Sequence, residues 1–120
     1  MRANIVCIWV VCFGLQLAGC SHPPERVSAA ALQESQKEAL TDTAMRKWSR
    51  SCALCHVDGE GGAPRVGAVE EWKPRLGQGR EKLLEHTIQG YNNMPPLGYC
   101  MSCSEQDFST IIEFMAGQSL

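Results

Sequence analysis

Two cysteines and a histidine stand close together near the middle of the chain, in the run Cys52-Ala53-Leu54-Cys55-His56. A C-x-x-C-H run is typical of the covalent attachment of a c-type haem. Each thiol can form a thioether with one vinyl group of a porphyrin, and the histidine that follows can then ligate the iron. Two other interpretations use fewer of these residues: half of a zinc site, or a thiol redox pair.

An iron held by histidine on one face takes Met, His or no protein ligand on the other. The methionines beyond the first twenty residues are Met45, Met94, Met101 and Met115. We expect Met94 to be the ligand, because Pro95 and Pro96 stiffen the chain just after it and helix is disfavoured there. It also lies far enough from His56 to return on the other face of a porphyrin. His86 is the rival for a bis-histidine iron, and His22 lies near the N-terminus.

The first nineteen residues have the pattern of a secretory signal peptide. A short basic start is followed by an apolar run over 5–15 and by small residues. Leu17-Ala18-Gly19-Cys20 resembles the lipobox of bacterial lipoproteins, in which the cysteine becomes an acylated N-terminus. We therefore expect a signal peptide over 1–19 and a lipid anchor at Cys20 that holds the protein on the periplasmic face of a bacterial membrane.

The remaining chain divides into a tether and one small domain. Residues 20–40 contain Pro23 and Pro24 and lack a clear apolar stripe, which predicts a lipidated N-terminus followed by a flexible tether, with some helix in its second half. Residues 41–120 form the domain, which we expect to be all-α with long loops. The predicted helices cover 41–52, 68–72 (ending before Pro74), 79–89, and a last helix from the capping box at 104–107 to near Gly117.

The cysteine count agrees with an exported protein. Of the seven cysteines, two leave with the signal peptide, one takes lipid and two take haem. Cys100 and Cys103 remain, and an oxidising compartment favours a disulfide between them; a redox-active dithiol is the alternative. The 11 basic and 13 acidic side chains give no basic surface of the kind that binds nucleic acid.

Several short motifs together resemble the class I cytochromes c. The closest resemblance is to the small bacterial cytochrome c-five subgroup, and it covers about residues 42–117. The motifs that carry it are Cys52-x-x-Cys55-His56, Gly62-Ala63-Pro64, Trp72-Lys73-Pro74-Arg75, Met94-Pro95-Pro96 and Cys100-x-x-Cys103. The resemblance implies three to four helices around one covalently attached haem.

The resemblance also implies roles for individual residues. Cys52 and Cys55 form the thioethers, while His56 and Met94 ligate the iron. The carbonyl of Pro64 accepts the other ring N–H of His56. Trp72 and Arg75 hold a propionate. The first and last helices cross where Ala44 and Trp48 meet Ile111 and Phe114.

An iron with both axial positions filled has no open site for a substrate, so we expect an electron carrier and not an enzyme. The sequence thus predicts a membrane-tethered, one-electron shuttle between a redox protein donor and a redox protein acceptor, with no small-molecule substrate. A labile Met94 would instead permit a haem-based sensor or a peroxidase-like protein. A structural zinc module built from Cys52, Cys55, Cys100 and Cys103 is a further alternative.

Overall fold

The computed structural model describes residues 28–120, so the signal peptide, Cys20 and the first part of the tether lie outside the described residues. The helices are α1 (Ala29–Arg50), α2 (Ala53–His56), α3 (Val69–Leu76), α4 (Arg80–Gln89) and α5 (Glu105–Ala116), with short 3-10 turns at Glu60–Gly62 and Pro96–Tyr99. Residues 28–120 contain no β-strand, which confirms the predicted all-α class. Within that range no helix has both the length and the apolar character needed to cross a bilayer.

Helix α1 begins twelve residues before the position that the sequence predicted. Ser28 is its N-cap and accepts a hydrogen bond from the backbone N–H of Ala31 at 3.2 Å. Thr41, the expected start, instead donates its hydroxyl to the carbonyl of Lys37 within the helix. The expected start was wrong because this stretch is rich in alanine, leucine, glutamate, glutamine and lysine, which are strong helix formers. Residues 29–39 are all exposed, and Ala44 is the first buried residue of the helix.

Helix α3 continues past Pro74, where the sequence predicted that it would stop. Proline lacks the N–H that would bond to the carbonyl four residues earlier, which here belongs to Glu70. Glu70 lies in the first turn of the helix and is exposed, so solvent can pair with its carbonyl. Proline is therefore tolerated at this position of a short surface helix.

The two other predicted helices have nearly the expected bounds. Helix α4 is flanked by Gly79 and Gly90, which stand at its N-cap and C-cap positions. Helix α5 begins with the predicted capping box: the Ser104 hydroxyl accepts from the N–H of Asp107, and the Asp107 carboxylate accepts from the N–H of Ser104. It ends at Gly117, whose φ of 70° is left-handed.

Helices α1 and α5 pack against each other and provide one side of the core. The rings of Trp48 and Phe114 meet edge to face with centroids 5.0 Å apart, which confirms that predicted contact. The ammonium of Lys47 donates to the carboxylate of Asp107 at 2.7 Å, so the start of α5 is tied to α1 as well. Ala44 is 0% exposed and Ile111 is 1% exposed. This packing fixes the wall against which the functional residues are placed.

Candidate functional site

A cavity of about 440 Å³ lies between the helices and the two longest loops. This volume falls within the range of about 300–1,000 Å³ that is typical of sites for small molecules and cofactors. Its deepest wall is apolar and buried, formed by Leu83, Phe108, Ile111, Ile112 and Met115. The structure brings all seven cofactor-binding residues predicted from the sequence to this one cavity: Cys52, Cys55, His56, Pro64, Trp72, Arg75 and Met94.

His56 ends helix α2 and is buried. Its Nδ1 lies 2.7 Å from the carbonyl oxygen of Pro64. A carbonyl can only accept, so Nδ1 carries the proton and Nε2 keeps a free lone pair. Burial lowers the pKa of His56, which the hydrogen bond to Pro64 opposes, and nearby Arg75 lowers it further. The ring is therefore neutral at pH 7 and its Nε2 is available to a metal.

Trp72 packs against the ring of His56, and its indole N–H is already hydrogen-bonded within the protein. Its ring stacks on His56 with centroids 5.8 Å apart and planes 22° apart. Its indole N–H donates to the carbonyl of Arg65 at 2.9 Å. The role that the resemblance implied for Trp72, holding a propionate, stays a prediction; in this structure the indole N–H is already paired with the carbonyl of Arg65. Arg75 is half-buried beside the cavity and donates to the carbonyl of Glu71.

The thiols of Cys52 and Cys55 are unpaired, and both line the cavity. Burial raises the pKa of the Cys52 thiol, with smaller opposing contributions from hydrogen bonds. Catalytic dithiols instead have a lowered pKa, because the thiolate is the nucleophile. The environment of Cys52 thus argues against a thiol redox pair.

The four-cysteine zinc module is not formed. Cys100 and Cys103 are joined in a disulfide, as the cysteine count predicted. Within residues 28–120, His, Cys, Asp and Glu side chains do not gather in a group of three or more that could hold a metal ion. The donors that remain near the cavity suit a porphyrin held by two thioethers and an imidazole.

Met94 is carried by a tight two-residue turn. The N–H of Tyr91 donates to the carbonyl of Met94 at 3.0 Å, and the N–H of Met94 donates to the carbonyl of Tyr91 at 2.9 Å. The methyl carbon of Met94 lies 3.2 Å from the place where a Cβ on Gly98 would stand, and the Cys52 sulfur lies 4.0 Å from it. A side chain at Gly98 would therefore press on Met94, the predicted iron ligand, and would reach van der Waals contact with the sulfur of Cys52.

Sequence reasoning missed the contribution of two glycines and one aromatic pair to this loop. The predicted helix over 79–89 ends just before Gly90, and no part in the Met94 loop was expected for this glycine, yet a Cβ there would stand 2.8 Å from the carbonyl oxygen of Met94. Gly98 is the second of these glycines, because a Cβ there would stand 3.2 Å from the methyl carbon of Met94. The rings of His86 and Tyr91 stack with centroids 3.9 Å apart, so the rival ligand His86 lies flat against the Met94 turn. The signal in the sequence that could have indicated this was the placement of Gly90 and Gly98, each four positions from Met94.

The family is decided by comparison with known proteins. The family model described as cytochrome C oxidase, cbb3-type, subunit III matches residues 39–115. The chain belongs to the class I c-type cytochromes. Cytochrome c-555 of Chlorobaculum tepidum is 35% identical over an alignment of 96 residues, and the match covers 75% of this chain and 89% of that protein. Cytochrome c5 of Ectopseudomonas mendocina is 37% identical over 71 residues, or 58% of this chain and 82% of that protein.

A solved structure supports the same assignment. The cytochrome resembles a chain in a crystal structure of an electron transfer complex of nitrite reductase with cytochrome c, with a TM-score of 0.56 and 28% identity. The match covers 62% of this chain and 90% of that chain. These relatives confirm the predicted resemblance to the cytochrome c5 type. The protein is a small cytochrome that binds haem c covalently and carries electrons, and it is not an enzyme.

Proposed function

We propose that the cytochrome is a membrane-tethered one-electron carrier in which a single haem is attached to Cys52 and Cys55 and ligated by His56 and Met94. The observation that carries this proposal is that His56, whose Nδ1 donates to the carbonyl of Pro64, and the Met94 turn line the same cavity as both thiols. When bound, the haem supplies a ferric/ferrous couple that exchanges one electron. Methionine as the second ligand raises the reduction potential relative to histidine.

The surrounding residues keep this site closed to other chemistry. Buried side chains of α4 and α5 form the inner wall and exclude water from it. Pro64 holds the imidazole in one tautomer and one orientation, which strengthens it as a ligand. With both axial ligands supplied by the chain, no position is left for a small-molecule substrate. The site is built to change oxidation state with little rearrangement.

The rim of the cavity supports contact with another redox protein. Leu54 and Tyr99 line the cavity and are exposed, and Tyr99 is 71% exposed. Met101, in the disulfide ring beside them, is 80% exposed. Uncharged, apolar residues in this position favour short-lived docking of a redox protein donor or acceptor over the cavity. In the similar solved structure, the cytochrome c is found with a nitrite reductase, which supports a protein partner for this chain.

The ligation is tested with the ferric protein, in which methionine bound to iron gives a weak near-red charge-transfer band. We expect this band in the wild type and expect Met94→Ala to lose it. Met101→Ala is the matched control and should keep the band, because Met101 is exposed in the disulfide ring. A wild type without the band would overturn the assignment of Met94. Ready binding of carbon monoxide by the reduced wild type would favour a sensor or peroxidase-like protein.

The anchor is proposed from the sequence of residues 17–20, which lie outside the described residues. Lipid chains on Cys20 would hold the domain on the periplasmic face of the membrane. The test is fractionation of cells that produce the wild type and Cys20→Ser. We expect the wild type in the membrane fraction and released by detergent, and Cys20→Ser in the soluble fraction or unprocessed. Cys12→Ser is the control and should remain in the membrane; a soluble wild type would contradict the anchor.

A further inference from the structure

Two loops line the cavity from different parts of the chain, and a side chain joins them. The first loop, residues 57–64, leads from His56 to Pro64; the second, residues 90–95, carries Met94. The side-chain amide of Asn93 donates through Nδ2 to the carbonyl of Gly61 at 2.9 Å. This bond spans 32 positions of sequence. It connects the loop that orients the imidazole of His56 to Asn93, the residue directly before Met94.

The loop at Gly61 is a firm attachment point. The N–H of Gly62 donates to the carbonyl of Gly59, and the N–H of Ala63 donates to that of Glu60, both at 3.1 Å. The next residue, Pro64, accepts from the buried His56. The Gly61 carbonyl is therefore held in place by turns on one side and by the imidazole on the other.

Asn93 is coupled just as closely to Met94. The two residues share the turn that is closed by reciprocal backbone hydrogen bonds between Tyr91 and Met94. Asn92, the other residue inside this turn, has a φ of 53°, so the backbone there has little freedom to adjust. A displacement of Asn93 is consequently passed on to Met94.

Glycine at position 61 suits the backbone of the first loop. Gly61 has a φ of 62°, a left-handed conformation in which a residue with a side chain is strained. A Cβ on it would lie 3.4 Å from the Cβ of Asn93, which is van der Waals contact. The two loops therefore lie next to each other at the point where the amide of Asn93 reaches the carbonyl of Gly61.

We propose that Asn93 is a positioning residue for the sixth iron ligand: its hydrogen bond to Gly61 joins the two ligand-bearing loops across the rim of the cavity and opposes the dissociation of Met94. The inference rests on the proposed function, because it requires Met94 to ligate the iron. It predicts that the bond governs how readily an external ligand replaces Met94, while the fold and the attachment of haem are unchanged.

The test compares Asn93→Asp with Asn92→Asp in the ferric holoprotein. Both variants make the same charge change one residue apart, but only Asn93→Asp removes the donor to Gly61. We titrate each with imidazole and follow the near-red band of methionine-bound iron. Since an exposed hydrogen bond contributes about 0.5–1.5 kcal/mol, we expect Asn93→Asp to bind imidazole on the order of two- to tenfold more tightly than the wild type, and Asn92→Asp to match it.

Asn93→Ala removes the same donor without adding charge and should give the same increase. Far-UV circular dichroism and the haem content show whether each variant is folded and loaded; if Asn93→Asp is not, Asn93→Ala decides the question. Unchanged imidazole affinity in a folded Asn93 variant, or an equal increase in Asn92→Asp, would overturn the positioning role. A wild type that lacks the near-red band would instead overturn the ligation by Met94, so the two failures are distinguishable.

Discussion

Gly90 is the residue whose substitution should most directly disturb the Met94 loop. Its backbone has φ 87° and ψ 152°, a region that residues with a side chain scarcely populate. An alanine Cβ there would stand 2.8 Å from the carbonyl oxygen of Met94, 3.0 Å from the nitrogen of Pro96 and 3.2 Å from the carbonyl carbon of Pro95. All three atoms belong to backbone, so no side chain can swing away.

Two costs add in Gly90→Ala. Holding a non-glycine residue in this conformation costs about 1–3 kcal/mol. Forcing extra volume into a packed site costs about 1–3 kcal/mol more, because the loop must move. We therefore expect the free energy of unfolding to fall by about 2–6 kcal/mol. We also expect the near-red band of ferric protein to weaken, since the loop that must shift carries Met94.

Gly79, at the other end of α4, provides a matched control. Its φ of 87° and ψ of 160° are nearly those of Gly90, but a Cβ there would meet no atom within 4 Å. Gly79→Ala should therefore lose only the conformational part, about 1–3 kcal/mol, and should keep the band. The measurement is guanidinium unfolding followed by far-UV circular dichroism, together with the ferric spectrum. Equal losses in the two variants, with the band intact in both, would refute the reasoning.

Three further predictions concern the stability of the fold. Burial raises the pKa of Asp107, but hydrogen bonds from Lys47 and Ser104 outweigh burial and leave the pKa below its usual value. The ionised carboxylate should therefore stabilise the fold above about pH 4, the pKa of an unfolded Asp, and this stabilisation should be lost as the pH falls through the lower pKa of the folded state. Asp107→Asn should lower the free energy of unfolding by about 1–2 kcal/mol at pH 7 and, in urea titrations at several pH values, make that free energy depend less on pH in the acid range. A variant whose stability falls with acid as much as that of the wild type would count against this account. Ile111→Val should cost about 0.5–1.5 kcal/mol in thermal unfolding, and a neutral result would mean that the wall of the cavity is loosely packed. Replacing both Cys100 and Cys103 by serine should cost about 2 kcal/mol in denaturant unfolding, given the short ring, and a much larger loss would show that the disulfide does more than restrict the unfolded chain.

The sequence was most informative where a few adjacent residues determine the local chemistry. The Cys52-x-x-Cys55-His56 run specified the attachment site. The Ser104 capping box specified the start of α5, because the side chain of each residue, Ser104 and Asp107, accepts a hydrogen bond from the backbone N–H of the other within one turn. The contact between His56 and Pro64 came from the family resemblance, and the structure contains it. Such features depend on neighbours in sequence or on a motif with a fixed geometry.

The features that could not be predicted depend on what the rest of the chain provides. Helix α1 extends beyond its packed part because its exposed residues favour helix by themselves, which hydrophobic periodicity does not report. Pro74 was expected to end α3, yet the carbonyl it leaves without a helical partner belongs to Glu70, an exposed residue in the first turn. The hydrogen bond from the indole of Trp72 was not predicted, because its partner, the carbonyl of Arg65, is seven residues away and becomes its neighbour only in the folded chain.

The exposed first half of α1 has a consequence for how the domain is presented to its surroundings. Residues 29–39 lie in a helix with a rise of about 1.5 Å per residue and about 3.6 residues per turn, so deleting one residue rotates everything before it by about 100°. The helix thus fixes the direction of the chain at its N-cap, Ser28, relative to the cavity. Insertions of one, two, three or four residues in this stretch would each rotate the cavity mouth around the helix axis, by a further step of about 100° per residue relative to the start of the helix.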